Sequence, residues 1–232
     1  MKLNDNIDIK KLTKEFKKTK HVVIDEFLDV KSANKLHNFL AHTMPENWWS
    51  TSYKLADGDV RMARRYPGMN MPDIYRQAYS DAASGRFAYV FDRTTAHAAD
   101  CNCLECQYRK FLESDEVVSL LQEITGTDVS KNQELFSSRY TEGQFLSPHH
   151  DIAKGKLNLV YSLARDWKPS WGGNLYLLKD DWKTIDKVLL SSFNRLAITL
   201  MNDEETVGVP HFVSQVADGV RYPRISITSW MS

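Results

Sequence analysis

The spacing of apolar positions changes along the chain. At 21–28, HVVIDEFL is β-branched and apolar, which predicts a strand. Asp29 then stands where a helix N-cap is wanted, ahead of Ala33, Leu36, Phe39 and Leu40 on one helical face. A further helix is predicted after Ser114. Asp115 and Glu116 suit its first turn, Val117, Val118, Leu121 and Ile124 carry its apolar face, and Gly126 ends it. Between these helices, from about 45 to 100, tryptophan, tyrosine, arginine and small polar residues follow no clear period, which predicts long loops and short elements. From about 134 the period shortens. ELFSSRYTEG, QFLSPHHDI, KLNLVYSLA, GGNLYLL, RLAITLM, HFVSQV and RISITSW are short, β-branched or aromatic, and punctuated by turn residues. Six or seven such strands predict an antiparallel barrel or jelly roll. At the other end, Leu3, Ile7, Leu12 and Phe16 recur at loosely helical spacing among lysines, predicting a solvated helix or arm. The expected class is α+β, mainly β, as one domain over 1–232. Residues 1–130 would form a helical layer with lid loops, packed on a jelly-roll core at 131–232.

Composition narrows the partners. Thirty basic residues balance thirty acidic ones in 232, so nothing calls for nucleic acid or an anionic membrane. No apolar run approaches the roughly 20 residues needed to span a bilayer. The N-terminal MKLNDNIDIKKLTKEFKKTK lacks the apolar segment of a secretory signal. The three cysteines, at 101, 103 and 106, are no framework of long-range disulfides, and a reducing cytoplasm is expected.

The chemistry concentrates in LSPHHDIAKG. Side chains alternate along a strand, so His149 and Asp151 share a face and His150 points to the other. A third metal ligand is available downstream in His211 of VPHFVSQV. Two imidazoles and one carboxylate on one side of a metal form the facial arrangement of non-haem Fe(II) oxygenases, which leaves three positions open. Thirteen residues on, Arg224 opens RISITSW, a strand expected to run beside that of His211. Its planar fork suits a carboxylate held beyond the metal, the minimum equipment for binding 2-oxoglutarate. Arg221 is the rival anchor, but it precedes Tyr222-Pro223 and reads as part of a turn.

In combination, RYTEGQFLSPHHD, NLVYSLARDWKPSWGGNLYLL, FNRLAITL, PHFVSQV and RISITSW resemble the prolyl 4-hydroxylase-like branch of the Fe(II)/2-oxoglutarate-dependent dioxygenases. VVIDEFL and the helix after it also fit that branch. The resemblance implies a double-stranded β-helix (cupin-like jelly roll), with Fe(II), 2-oxoglutarate and O2, and it admits ascorbate as a stimulant. It implies that His149, Asp151 and His211 bind iron and that Arg224 takes the distal carboxylate of 2-oxoglutarate. Tyr140 would face the cosubstrate, and Ser226, on the face of Arg224, would donate to the same carboxylate. Asp151 favours hydroxylation over halogenation, because halogenating relatives lack the carboxylate. The substrate would be an amino acid, an aminoacyl group, peptidyl proline or another small metabolite. A jelly-roll protein that binds a metal or ligand without turnover is the alternative.

Other residues are open to two readings. His97, Cys101, Cys103 and Cys106 are four ligands of the kinds zinc prefers, as a structural clip, or else a reduced and partly buried thiol cluster. Trp48, Trp49, Tyr53 and the basic run Arg61, Arg64, Arg65 could wall a substrate pocket, or be core aromatics and a solvated loop. Gly172-Gly173 reads as a tight strand entry, since no Lys-Ser/Thr follows. His21, His37 and His42 read as satisfied or surface histidines.

Overall fold

The computed structural model describes residues 1–63, 71–151, 154–201 and 208–232. Of the residues singled out above, Arg64 and Arg65 lie outside them. In chain order the elements are α1 (Ile9–Thr19), β1 (His21–Asp25), α2 (Val30–Asn38), β2 (Trp49–Lys54), β3 (Arg61–Ala63), α3 (Met71–Ala83), β4 (Tyr89–Thr94), α4 (Leu104–Leu112) and α5 (Asp115–Thr125). The strands β5 (Asn132–Tyr140), β6 (Phe145–His149), β7 (Leu157–Leu163), β8 (Leu175–Leu178), β9 (Ile185–Leu189), β10 (Phe193–Leu200), β11 (His211–Val213) and β12 (Arg224–Met231) follow.

Every strand pairing among the described residues is antiparallel, and the main sheet runs β1-β10-β7-β12-β5-β4-β6-β11-β8-β9, with β2 attached to β4 and β3 to β2. The sheet curls into the half-barrel of a jelly roll, with alternate side chains facing two different environments. On β12, Ile225, Ile227 and Met231 join the large core beneath the helices, whereas Arg224, Ser226, Thr228 and Trp230 face the interior cavity. On β5, Leu135 packs with the helices while Phe136, Ser138 and Tyr140 line the cavity.

The helices form as their caps dictate. Asp29 accepts from the backbone N–H of Lys31 and Ser32 at the start of α2, Ser114 accepts from Val117 at the start of α5, and Gly126 closes α5 in the left-handed conformation. Helix α2 continues through a π-helical turn over Phe39–Thr43, keeping Leu40 in the core. Leu12 and Phe16 of α1 are buried, so this helix is docked rather than a free arm.

Three readings of the sequence need correcting. The 45–100 stretch supplies β2, β4 and the 13-residue α3 in addition to loops, and β4 is an integral strand of the main sheet. The elements β2 and α3 escaped apolar patterning because small or polar residues fill their buried positions: Ser50, Thr51 and Ser52 on β2, Ala78 and Asp81 on α3. Helix α4, which is capped by Cys103, contains Cys106 and ends before Ser114, was also missed. Finally, β12 does not run beside β11. It lies between β7 and β5, and Arg224 and His211 line the same interior cavity of the curled sheet.

Candidate metal centre

Strand β6 delivers His149 at its last position, and β11 delivers His211 at its first; the two are cross-strand partners in the register. Asp151 lies just past β6. The His149 and His211 rings stand 4.4 Å apart between centroids, with His149 Nε2 3.6 Å from Asp151 Oδ1 and His211 Nε2 3.5 Å from Asp151 Oδ2. One ligand atom from each of the three residues lies within 4.8 Å of the others.

The surroundings aim these atoms. His149 Nδ1 donates to the Ser147 carbonyl at 3.0 Å and His211 Nδ1 to the Val209 carbonyl at 2.9 Å. Each bond assigns the proton to Nδ1 and leaves the Nε2 lone pair facing the carboxylate, the tautomer a metal requires. Asp151 Oδ2 accepts from Asn158 Nδ2 and Trp230 Nε1, both at 3.0 Å. Burial opposes ionisation of Asp151, but the adjoining His149 and His211 imidazoles hold its carboxyl far below the ordinary range. Burial lowers the His149 pKa, helped by His211, whereas at His211 the Asp151 carboxylate outweighs burial and raises it. A buried carboxylate beside two imidazoles aimed nitrogen-first suits a divalent cation, which would satisfy all three at once. His150 borders the same cavity but is stacked on Trp182 at 4.4 Å, outside the group of converging ligand atoms, and its ring nitrogens have no hydrogen-bond partner among the described residues.

The three ligand atoms line a cavity of about 250 Å³ that Arg224 also lines. Arg224 is 3% exposed and directly opposite Tyr140 in the β12–β5 register, its guanidinium 5.2 Å from the Tyr140 ring centre. Its Nε donates to Ser191 Oγ at 2.9 Å and its Nη1 to Ser226 Oγ at 3.1 Å. Among the described residues no carboxylate pairs with it. Burial pulls its pKa down from the ordinary arginine value. Such a charge is costly unless an anion joins it. Tyr140 is buried, stacked on Phe91 at 5.0 Å, with burial raising its phenol pKa well above the ordinary value. Arg221 is exposed in the loop before β12.

Other candidates fall outside this cavity. Trp49 and Tyr53 are core aromatics, Trp48 packs edge-on against His97, and Arg61 is exposed on β3. His21 is buried against Asp186, His37 is buried with Nδ1 on the Leu163 carbonyl, and His42 is exposed. Gly172 and Gly173 lead into β8 as a tight strand entry. His97, Cys101, Cys103 and Cys106 converge on a separate cluster.

Three residues at the centre were not anticipated: Ser191, Asn158 and Trp230. Trp230 was within reach, because it shares the alternating face of Arg224 and Ser226 in RISITSW. Asn158 is the polar interruption of LNLVYSL. Ser191 carries no signal of its own.

Residues 135–232 match the family model of the 2OG-Fe(II) oxygenase superfamily. Over those residues the chain is similar to 2-oxoglutarate- and Fe(II)-dependent oxygenases, and as a whole it has the fold of prolyl 4-hydroxylases. That fold is shared with a Pseudomonas putida prolyl-4-hydroxylase (14% identity, 96% of this chain and 97% of that one, TM-score 0.58). It is also shared with a 2OG-Fe(II) oxygenase family oxidoreductase from Burkholderia pseudomallei (12% identity, 100% and 93%, TM-score 0.63). A third likeness is a Trichoplax adhaerens prolyl hydroxylase in complex with a hypoxia inducible factor peptide fragment (15% identity, 96% and 88%, TM-score 0.64). No curated protein matches the sequence. The family implies Fe(II), 2-oxoglutarate and O2 as the reaction's requirements. No described helix is long and apolar enough to cross a membrane.

Proposed function

We propose that the chain, acting as a single catalytic domain, holds Fe(II) on His149, Asp151 and His211 and anchors 2-oxoglutarate on Arg224. On this reading it hydroxylates an unactivated C–H bond of an amino-acid, aminoacyl or prolyl-type group. The observation that carries it is the buried Arg224 guanidinium, with no carboxylate partner among the described residues, in the cavity that the three ligand atoms line. When bound, iron with 2-oxoglutarate and O2 supplies the oxidant that converts C–H to C–OH, while the 2-oxo acid leaves as succinate and CO2.

The protein's own residues do the positioning. Asp151 contributes one negative charge, the two histidines none, and Arg224 one positive charge. A divalent cation together with a dianionic 2-oxo acid leaves that balance unchanged, whereas either alone upsets it. The buried site therefore favours taking up both. Ser191 and Ser226 hold the guanidinium through Nε and Nη1, leaving Nη2 without a hydrogen-bond partner among the described residues and available to a carboxylate. Asn158 and Trp230 fix the Asp151 carboxylate in the orientation that lets both histidines approach it.

The cavity also limits the substrate. About 250 Å³ falls below the roughly 300–1,000 Å³ of pockets that enclose whole drug-sized ligands. Once it shares that space with a cosubstrate, only a residue-sized group reaches the metal. Phe87, Tyr89, Phe91 and Phe136 make the walls largely aromatic, which suits an apolar C–H donor. The exposed Lys154 lies over Trp230 at 4.0 Å and adds positive charge for an acidic or carbonyl-bearing remainder. The peptide bound to the Trichoplax relative supports a prolyl form of the substrate. The test is incubation with Fe(II) and 2-oxoglutarate under air, with amino acids, aminoacyl conjugates and proline-containing peptides screened by mass. A gain of one oxygen matched by succinate supports the proposal; succinate without any oxygenated product in these classes contradicts the substrate reading.

A further inference from the structure

His97, Cys101, Cys103 and Cys106 come together between β4 and α4, away from the cavity that holds the triad. One ligand atom from each lies within 4.8 Å of the others. His97 Nδ1 is 3.5 Å from Cys101 Sγ and 3.7 Å from Cys103 Sγ. In a tetrahedron with Zn–S about 2.3 Å and Zn–N about 2.0–2.1 Å, a nitrogen and a sulfur ligand stand roughly 3.6 Å apart. The side chains already have the spacing of a common central ion, and all three cysteines are free thiols.

The surroundings orient the histidine for that purpose. His97 Nε2 donates to Glu105 Oε2 at 2.6 Å, so its Nδ1 lone pair is the one directed at the sulfurs. Glu105 is 1% exposed, and its other oxygen accepts from Thr94 Oγ1 and from the Ser137 backbone N–H, both at 2.7 Å. A carboxylate held this way behind a ligating imidazole is the usual outer partner of zinc-bound histidine. Local structure brings the sulfurs in. Cys103 is the N-cap residue of α4 and Cys106 sits in its first turn, while Cys101 comes from the segment just before. Trp48 covers the His97 ring edge-on at 4.8 Å.

We propose that these four residues form a structural zinc site with three thiolates and one imidazole, distinct from the iron centre. Four protein ligands leave no open position, so the site is not catalytic. Its task is mechanical. It ties the start of α4 to the segment that follows β4, and through Glu105 it fastens that corner to β5. Strand β4 presents Tyr89, Phe91 and Arg93 to the cavity, and Ser137 lies between cavity-lining Phe136 and Ser138. The zinc thereby steadies two walls of the oxygenase pocket from behind.

The test uses the intact chain. Protein purified without added metal carries one zinc per chain, released when the thiols are titrated with a mercurial and detected with a chromogenic chelator. Co(II) in place of zinc gives thiolate-to-cobalt charge-transfer absorption, which the all-N/O centre at His149 cannot produce. The Cys103→Ser variant loses both signals and His149→Ala keeps both. Should Cys103→Ser fail to fold, the cobalt spectrum of the unaltered chain decides alone. Absence of zinc together with absence of thiolate–cobalt bands overturns the proposal. So does zinc that disappears from His149→Ala but persists in Cys103→Ser.

Discussion

Replacing Arg224 separates a carboxylate anchor from an ordinary buried side chain. In Arg224→Ala the cosubstrate loses a charged, desolvated partner, a change that costs about 2–5 kcal/mol. At about 1.4 kcal/mol per tenfold, that is a rise in the Kd for 2-oxoglutarate of about 30-fold to a few thousand-fold. Ser191→Ala removes only the hydroxyl that accepts from Nε at 2.9 Å. A hydrogen bond to a charged group is worth about 1.5–3 kcal/mol, so the rise there is about 12- to 140-fold, overlapping only the lower part of the Arg224→Ala range. Arg221→Ala, at an exposed loop position, changes nothing. The folded ligand-free protein gives a second sign to check. Because burial already disfavours the Arg224 charge, removing it relieves a desolvation penalty that offsets part of the lost packing. Arg224→Ala is accordingly expected to be far less destabilised without ligand than its burial suggests. The assay is anaerobic titration of 2-oxoglutarate into the Fe(II) protein, followed by the charge-transfer absorbance, with melting curves alongside. Equal weakening by Arg221→Ala and Arg224→Ala, or an unchanged Kd in Arg224→Ala, refutes the assignment.

Trp230→Phe keeps the aromatic volume but loses the N–H to Asp151 Oδ2, so iron affinity should fall by about 10–100-fold, measured by competition with a chelator, with little change in fold. Gly172→Ala should lose at least about 1–3 kcal/mol in urea unfolding, because φ is +68° with ψ −152° and an added Cβ would overlap the Gln215 carbonyl oxygen. Burial, followed by the charges of Arg165 and His42, lowers the pKa of His37 in the fold, so the unfolded chain takes the proton first. His37 therefore contributes full stability above about pH 6.5, the unfolded value, and that contribution is lost as pH falls from there through the lower folded pKa. A His37→Gln variant should flatten this part of the stability profile, and an unchanged profile would place the pH sensitivity elsewhere.

Where burial is apolar and the period regular, the chain could be read in advance. Ser114, Asp115, Glu116 and the Val117–Ile124 face describe α5 with its cap and its end, and RISITSW alternates as β12 does. The same alternation separated His149 and Asp151 from His150, which stacks on Trp182 instead. What stayed hidden is polar burial and long-range pairing. Thr51 of β2 and Asp92 of β4 are buried and joined by a 2.8 Å hydrogen bond, and apolar periodicity has no sensitivity to such a pair. The position of β12 depends on how the whole sheet curls, so expecting it beside β11 followed from the order of motifs along the chain, which does not determine strand neighbours. Ser191 supports Arg224 from 33 positions away, a separation at which nothing local marks a serine as special.

Iron binding by the two adjacent histidine variants tests the centre most directly. Anaerobic Fe(II) titration with saturating 2-oxoglutarate should give one charge-transfer site per chain in the unaltered protein and in His150→Ala. His149→Ala, like His211→Ala, should give none, and should form no succinate under air. Loss of the signal in His150→Ala with its retention in His149→Ala would contradict the triad of His149, Asp151 and His211.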